Sequence, residues 1–247
     1  MTCFSLVVSF CLLQQTIFSS AHVDSPHRKI PIHININHTP PEKVLVTPYG
    51  VSIEGIYINI TPEFEDRYKI GVVKDDNILL SDDRENIVAK QIFSIIHNDG
   101  SKFVELDITS ITDSGEVEKN IEEYIRPSGG LAYIAVVRNP IEVDIAQVEL
   151  NQHVQVVVSG EQKKVFIKDV FKTTLFIGII KYESLILDND TQGVLYKYIV
   201  VEVENGPTIK VISYFRNGSS KFRIYVIEKK PGRISSRIIK NETADVI

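Results

Sequence analysis

The chain repeats itself. Shifted by 107 residues, positions 70–98 fall into register with 177–205. Identical pairs include Ile70/Ile177, Gly71/Gly178, Lys74/Lys181 and Lys90/Lys197. Several others exchange one large apolar residue for another, as at Ile78/Leu185 and Ile87/Val194. The match extends outward through small changes of loop length. Pro31-Ile-His-Ile-Asn-Ile36 aligns with Pro140-Ile-Glu-Val-Asp-Ile145, and the turn Asn98-Asp-Gly100 aligns with Asn205-Gly206. A unit of about 100 residues is a domain, larger than any solenoid repeat and able to bury its own core. The expectation is a tandem duplication, with domains at 31–128 and 139–236 and a polar tail at 237–247. The stretch Pro127-Ser-Gly-Gly130 serves as the linker.

The duplication decides the fold class. Read alone, Glu85 to Ile96 carries a passable helical stripe, with apolar residues at 88, 92, 95 and 96. Its counterpart, Val194 to Val203, is dense in Val, Ile and Tyr and reads as a strand. Two copies of one unit share one fold, so both are strands. Further extended runs fall at 31–36, 43–47, 51–60, 68–73, 131–137, 153–158, 164–167, 208–215 and 221–228. Asn-Gly, Asp-Gly and Ser-Gly turns punctuate them. The expected fold is mainly β, two tandem copies of one sandwich- or barrel-like domain with one or two short helices. The clearest helix candidate is Glu116 to Arg126, with Val117, Ile121, Tyr124 and Ile125 on one face and Asp113 or Ser114 as cap. Each repeat predicts that Ile78/Leu185 and Ile87/Val194 are buried and that Gly71 and Gly178 occupy equivalent strand positions.

The amino terminus reads as an address. Residues 3–13 form a short apolar run, well under the ~20 residues a membrane-spanning helix needs. Ser19-Ser20-Ala21 follows with the small-x-small pattern of signal peptidase sites, which places cleavage after Ala21 and residues 1–21 in a signal peptide. Both cysteines, Cys3 and Cys11, lie in that segment, so the mature chain has no disulfide, thiolate metal site or cysteine nucleophile. No later stretch reads as a transmembrane anchor. Five Asn-x-Ser/Thr sequons, at Asn37, Asn59, Asn189, Asn217 and Asn241, fit a secretory route and are the candidate N-glycosylation sites.

Each copy opens with an apolar segment ending in Asn-Ile or Asp-Ile. It continues to Val73-Lys-Asp-Asp-Asn-Ile-Leu-Leu80 or Ile180-Lys-Tyr-Glu-Ser-Leu-Ile-Leu187. The second copy runs on to Val211-Ile-Ser-Tyr-Phe-Arg-Asn-Gly218 and Lys221-Phe-Arg-Ile-Tyr225. This order resembles the FAINT domain, a module of secreted proteins of piroplasm parasites, over most of 31–126 and 139–235. Family members often carry tryptophan where Leu80 and Leu187 stand and at the domain's end, and this chain has none. In the first copy the expected helix at 116–126 replaces the final hairpin. The resemblance implies secretion and exposure to the host cell, either outside it or exported into it. It carries no catalytic residues.

Chemistry is sparse. The formal charge of −5 gives no reason to expect nucleic acid as partner. Four histidines, His22, His27, His33 and His38, cluster early without acidic or thiol residues at ligand spacing, and His33 alternates with Ile32, Ile34 and Ile36 as on a strand's polar face. Asp75-Asp76, Asp82-Asp83 and Asp188-Asn189-Asp190 lack the spaced ligands of a calcium loop and read as solvated turns. No nucleophile elbow, zinc-protease motif or phosphate loop is present. No catalytic, cofactor or metal residue is therefore expected. The segment Lys229 to Lys240 carries five positive charges in twelve residues. It fits an import signal, a contact with an anionic surface, or a solvated tail that guards the strand before it. The sequence thus describes a secreted, non-enzymatic, host-facing module whose partner is a host or parasite protein. Its rivals are a secreted hydrolase with dispersed carboxylates and a soluble carrier of an apolar ligand.

Overall fold

The computed structural model describes residues 28–49, 54–202, 207–231 and 233–245. The signal segment with Ala21, Cys3, Cys11, His22 and His27, and the 205–206 turn, lie outside the described residues.

The first repeat contains β1 (Ile30–Asn35), β2 (Val44–Tyr49), β3 (Glu54–Ile60), β4 (Tyr68–Asp75), β5 (Ile78–Ser81), β6 (Ile87–Ile96), β7 (Lys102–Ile111), β8 (Val117–Arg126) and β9 (Ile134–Ala135). The second contains β10 (Asn139–Asp144), β11 (Val154–Ser159), β12 (Gln162–Ile167), β13 (Leu175–Tyr182), β14 (Leu185–Asp188), β15 (Val194–Glu202), β16 (Thr208–Phe215), β17 (Ser219–Lys230) and β18 (Arg233–Asp245). The mainly-β fold is as expected. Each repeat has a three-stranded sheet, β1-β4-β5 or β10-β13-β14, and a six-stranded sheet, β2-β3-β6-β7-β8-β9 or β11-β12-β15-β16-β17-β18. The strand order is the same in both. Each first strand pairs in parallel with the fourth, Ile32 opposite Ile70 and Ile141 opposite Ile177, so the chain crosses over while building a hairpin on the facing sheet.

The two sheets of a repeat close over one apolar core. Ile34, Ile70 and Val73 from the small sheet meet Ile58, Ile92, Val104 and Leu106 from the large one. Val143, Ile177 and Ile180 meet Val165, Ile199, Ile209 and Val211 in the second copy. Inward positions recur every second residue, as the pleat requires. Gly71 and Gly178 do occupy equivalent places: a Cβ on Gly71 would lie 2.8 Å from Pro31 Cβ, and one on Gly178 would collide with Pro140. Ile87 and Val194 are buried, while Ile78 and Leu185 are only half-buried. The fully inward residues of β5 and β14 are Leu80 and Leu187, two positions on.

Three expectations are corrected. Residues 116–126 are no helix. Val117–Arg126 is strand β8, paired with β7 at every position from Val117 opposite Ile111 to Arg126 opposite Lys102. Asp113, Ser114 and Gly115 form the hairpin turn, with Gly115 at φ 85° and its N–H donating to the Thr112 oxygen at 2.9 Å. Ten main-chain pairings and the packing of half-buried Tyr124 against the core outweigh the local preference of this Glu-rich stretch. The helices that do form are short 3-10 pieces at Pro62–Phe64, Ile145–Leu150 and Asp169–Phe171. The strand expected at 131–137 shrinks to Ile134–Ala135, because the chain must leave the first sheet to begin the second repeat. The polar tail 237–247 is instead mostly strand: β18 pairs along β17 from Arg233 opposite Lys230 to Asp245 opposite Ser219.

Candidate interaction surface

A six-stranded sheet has a core face and an outer face, and the second repeat's outer face gathers cations and aromatics. One row crosses the sheet in register: Lys164 opposite Val200, Val200 opposite Lys210, Lys210 opposite Ile224, Ile224 opposite Lys240. Lysines thus occupy every second strand. Beside this row lies an aromatic one. Tyr196 and Tyr214 stack at 4.6 Å between centroids, and Tyr198 joins Tyr214 at 6.3 Å. Lys240 Nζ sits 5.4 Å over the Phe222 ring. Tyr196 is 45% exposed.

Charge is segregated to this end of the chain. Residues 208–240 hold nine Lys and Arg against a single acid, Glu228, in a protein of formal charge −5. Lys210 pairs with Glu202 at 2.6 Å, and Lys240 with Glu242 at 2.9 Å. Lys164, Lys230, Arg233 and Arg237 are exposed and have no carboxylate partner among the described residues.

The same row in the first repeat has a different composition: Tyr57, Phe93, Glu105 and Glu123. Glu105 stands where Lys210 stands. Burial, and then the Glu123 and Asp107 carboxylates, push the Glu105 carboxyl up to about 7. Glu123 is 6% exposed, and both its oxygens receive the Arg138 guanidinium. Arg216 of the second repeat completes this junction. Its oxygen accepts from Ile121 N–H at 2.8 Å and its guanidinium donates to the Ile121 oxygen at 3.0 Å. With β9 only two residues long, the rest of the β8 edge is open, and Arg216 occupies part of it.

Asp76 and Asp82 are exposed, as expected of solvated turns, but Asp75 and Asp188 are not. Asp75 is fully buried and receives Lys102 at 2.8 Å, Arg126 at 2.8 Å and Tyr133 Oη at 2.7 Å. Burial alone would raise its pKa, but these partners outweigh it and hold the carboxyl below its usual value. Asp188, also buried, is shared by Lys197 and Arg223, while Asp190 receives Lys221 at 2.9 Å. Each copy keeps its own cluster. Where the second has Asp188 and Arg223, the first has Ser81 and Glu122. Where the first has Asp75 and Arg126, the second buries Tyr182 and Ile227. Lys197 inside an apolar strand was the sequence signal for the Asp188 cluster, because an inward lysine needs partners. Its counterpart Lys90 bonds the Gly71 and Asp82 oxygens and stands apart from Asp75.

The sequons differ in accessibility. Asn37, Asn189, Asn217 and Asn241 are exposed. Asn59 is half-buried in β3, with its Oδ1 enclosed and unpartnered. His33 Nδ1 accepts the Val72 N–H at 3.1 Å, and His153 packs on Phe171 at 5.1 Å. Among the described residues no group of three or more His, Cys, Asp and Glu side chains is placed to hold a metal ion, and no helix is long and apolar enough to cross a membrane. Compared with known proteins, the chain matches no family model, no curated protein and no solved structure.

Proposed function

We propose that this chain is a secreted, non-enzymatic, host-facing interaction module, a divergent two-copy member of the FAINT-domain family. The observation that carries the reading is the outer face of the second large sheet, where exposed cations lie in register beside an aromatic row. Surface apolar residues rimmed by charge are a recurrent form of partner site. The apolar segment before Ser19-Ser-Ala21 and the four exposed sequons support a secretory route. The buried carboxylates Asp75, Asp188 and Glu123 are engaged by the chain's own cations, which leaves them structural work.

One observation favours the hydrolase rival: Glu105, raised to about 7 beside Glu123, resembles a general acid. Its neighbour is clamped by Arg138, so the pair lacks a second free carboxylate.

The test is binding of labelled residues 22–247 to intact host cells. The reading expects saturable binding that trypsin treatment of the cells removes. Absence of saturable binding, or binding indifferent to trypsin, contradicts it.

A further inference from the structure

We propose that the lysine row of the second repeat is a binding site for a linear, sulfated polysaccharide. The proposal concerns a non-protein partner and takes the same face that carries the protein-interaction reading, but it rests on the charge spacing alone.

The geometry comes from strand spacing. Neighbouring strands lie about 4.8 Å apart, so lysines on alternate strands stand about 10 Å from one another. Lys164, Lys210 and Lys240 therefore form a ladder of regularly spaced charges across the sheet. Val200 and Ile224 separate them and hold the ammonium groups apart. At the hairpin end Lys230, Arg233 and Arg237 extend the positive charge, and none has a carboxylate partner among the described residues. Lys240–Glu242 is an exposed pair that a polyanion can displace, whereas Lys210–Glu202 is half-buried and has to open for Lys210 to engage the polymer.

Shape selects among polyanions. Adjacent strands twist by about 20–25°, so the four steps from β12 to β18 turn the ladder through roughly 80–100°. A planar bilayer touches only part of such a row, whereas a linear polymer follows it. The aromatics select against single-stranded nucleic acid. Base binding needs free ring faces, but Tyr196, Tyr198 and Tyr214 stack on one another and Lys240 lies over Phe222. What remains is charge in a twisted line, which suits a polymer bearing sulfates at intervals. The first repeat does not share the property, since Glu105 and Glu123 occupy the positions of Lys210 and Ile224.

The experiment uses residues 22–247 and immobilised heparin as the probe, with biosensor titrations at two salt concentrations. The expected result is binding that weakens more than about tenfold between ~0.05 and ~0.2 M salt, as counterion release dictates. The triple variant Lys164→Glu, Lys210→Glu, Lys240→Glu loses at least about tenfold in affinity while its circular dichroism stays unchanged. A control of equal charge change away from the ladder, Arg67→Glu, Lys74→Glu, Lys172→Glu, retains most of it. A single-site variant, Lys164→Gln, removes an exposed and unpaired charge without threat to the fold and lowers affinity measurably. No binding to heparin at ~0.15 M salt overturns the proposal. So do equal losses in the two triple variants, and so does tighter binding to poly(U) or to phosphatidylserine vesicles than to heparin.

Discussion

Lys197 donates its ammonium to the main-chain oxygen of Gly178 at 2.8 Å, wholly inside the second core. One repeat earlier, Lys90 does the same to Gly71 at 2.6 Å. A buried ammonium bound to a glycine carbonyl is an unusual solution, and the chain uses it twice at a separation of 107 residues. The glycine is required because the crossing first strand brings Pro31 or Pro140 onto its Cα. The lysine ties the large sheet to the glycine's own strand, β4 or β13. This linked pair argues for common descent of the two copies more strongly than their shared Ile and Val content.

The glycines lead to the first prediction. Gly71→Ala places a methyl 2.8 Å from Pro31 Cβ and 2.9 Å from His33 Nδ1. Such overpacking costs about 1–3 kcal/mol, and Gly178→Ala costs more because Pro140 lies closer. Urea denaturation of 22–247 measures both. Neutral substitutions would mean that the parallel first strand does not pack where the structure places it.

The second prediction concerns the exchanged ion clusters. Asp188→Ser leaves Lys197 and Arg223 without their shared carboxylate and lowers stability by about 3–5 kcal/mol. Adding Arg223→Glu recreates the first repeat's Ser81 and Glu122 arrangement around the lysine common to both copies. The double variant is expected to recover at least about 1 kcal/mol relative to the sum of the two single changes. Strict additivity in the double-mutant cycle would contradict the equivalence of the two sites.

The third is a pH dependence. Glu105 has a folded pKa raised to about 7 against an ordinary value of 4.5, so between those limits the folded state binds more protons than the unfolded one. Its contribution is fully present below about 4.5 and is lost as pH rises through about 7. Glu105→Gln therefore gains stability over the parent with rising pH, by up to about 3 kcal/mol at pH ~8. Taking the difference between the two proteins cancels the other titrating groups. A difference that is flat from pH ~4 to ~8 would sink the claim.

The fourth concerns processing. Terminal sequencing of protein secreted from a eukaryotic host is expected to begin at or near His22. Because Cys3 and Cys11 are then removed, dithiothreitol leaves the melting temperature of the product unchanged. Intact Met1 on exported protein, or a shift with reductant, contradicts the assignment.

Much of the fold was legible because dense runs of Val, Ile and Tyr are a local strand signal, and β13, β15 and β16 carry them. The duplication supplied what locality could not, turning the ambiguous 85–96 into a strand. Strand β8 was missed for the opposite reason. Its spacing at 117, 121, 124 and 125 suits a helix, and only pairing with β7 makes it extended. With Tyr124 facing the core and Ile121 and Ile125 facing outward, its pattern is legible only once the sheet is known. The lysine ladder was hidden because its members lie on three strands far apart in the chain. The basic run from Lys229 to Lys240 showed one end of it, and register across four strand pairs supplied the rest.

The central claim is that one β sandwich occurs twice in this chain, and a crystal structure of residues 22–247 tests it most directly. The account predicts that strands β1–β8 superpose on β10–β17 in the same order, with Lys90 and Lys197 each bound to the carbonyl of its own glycine. A helix at 84–97 or at 116–126, facing strands at the equivalent positions of the second half, would contradict it.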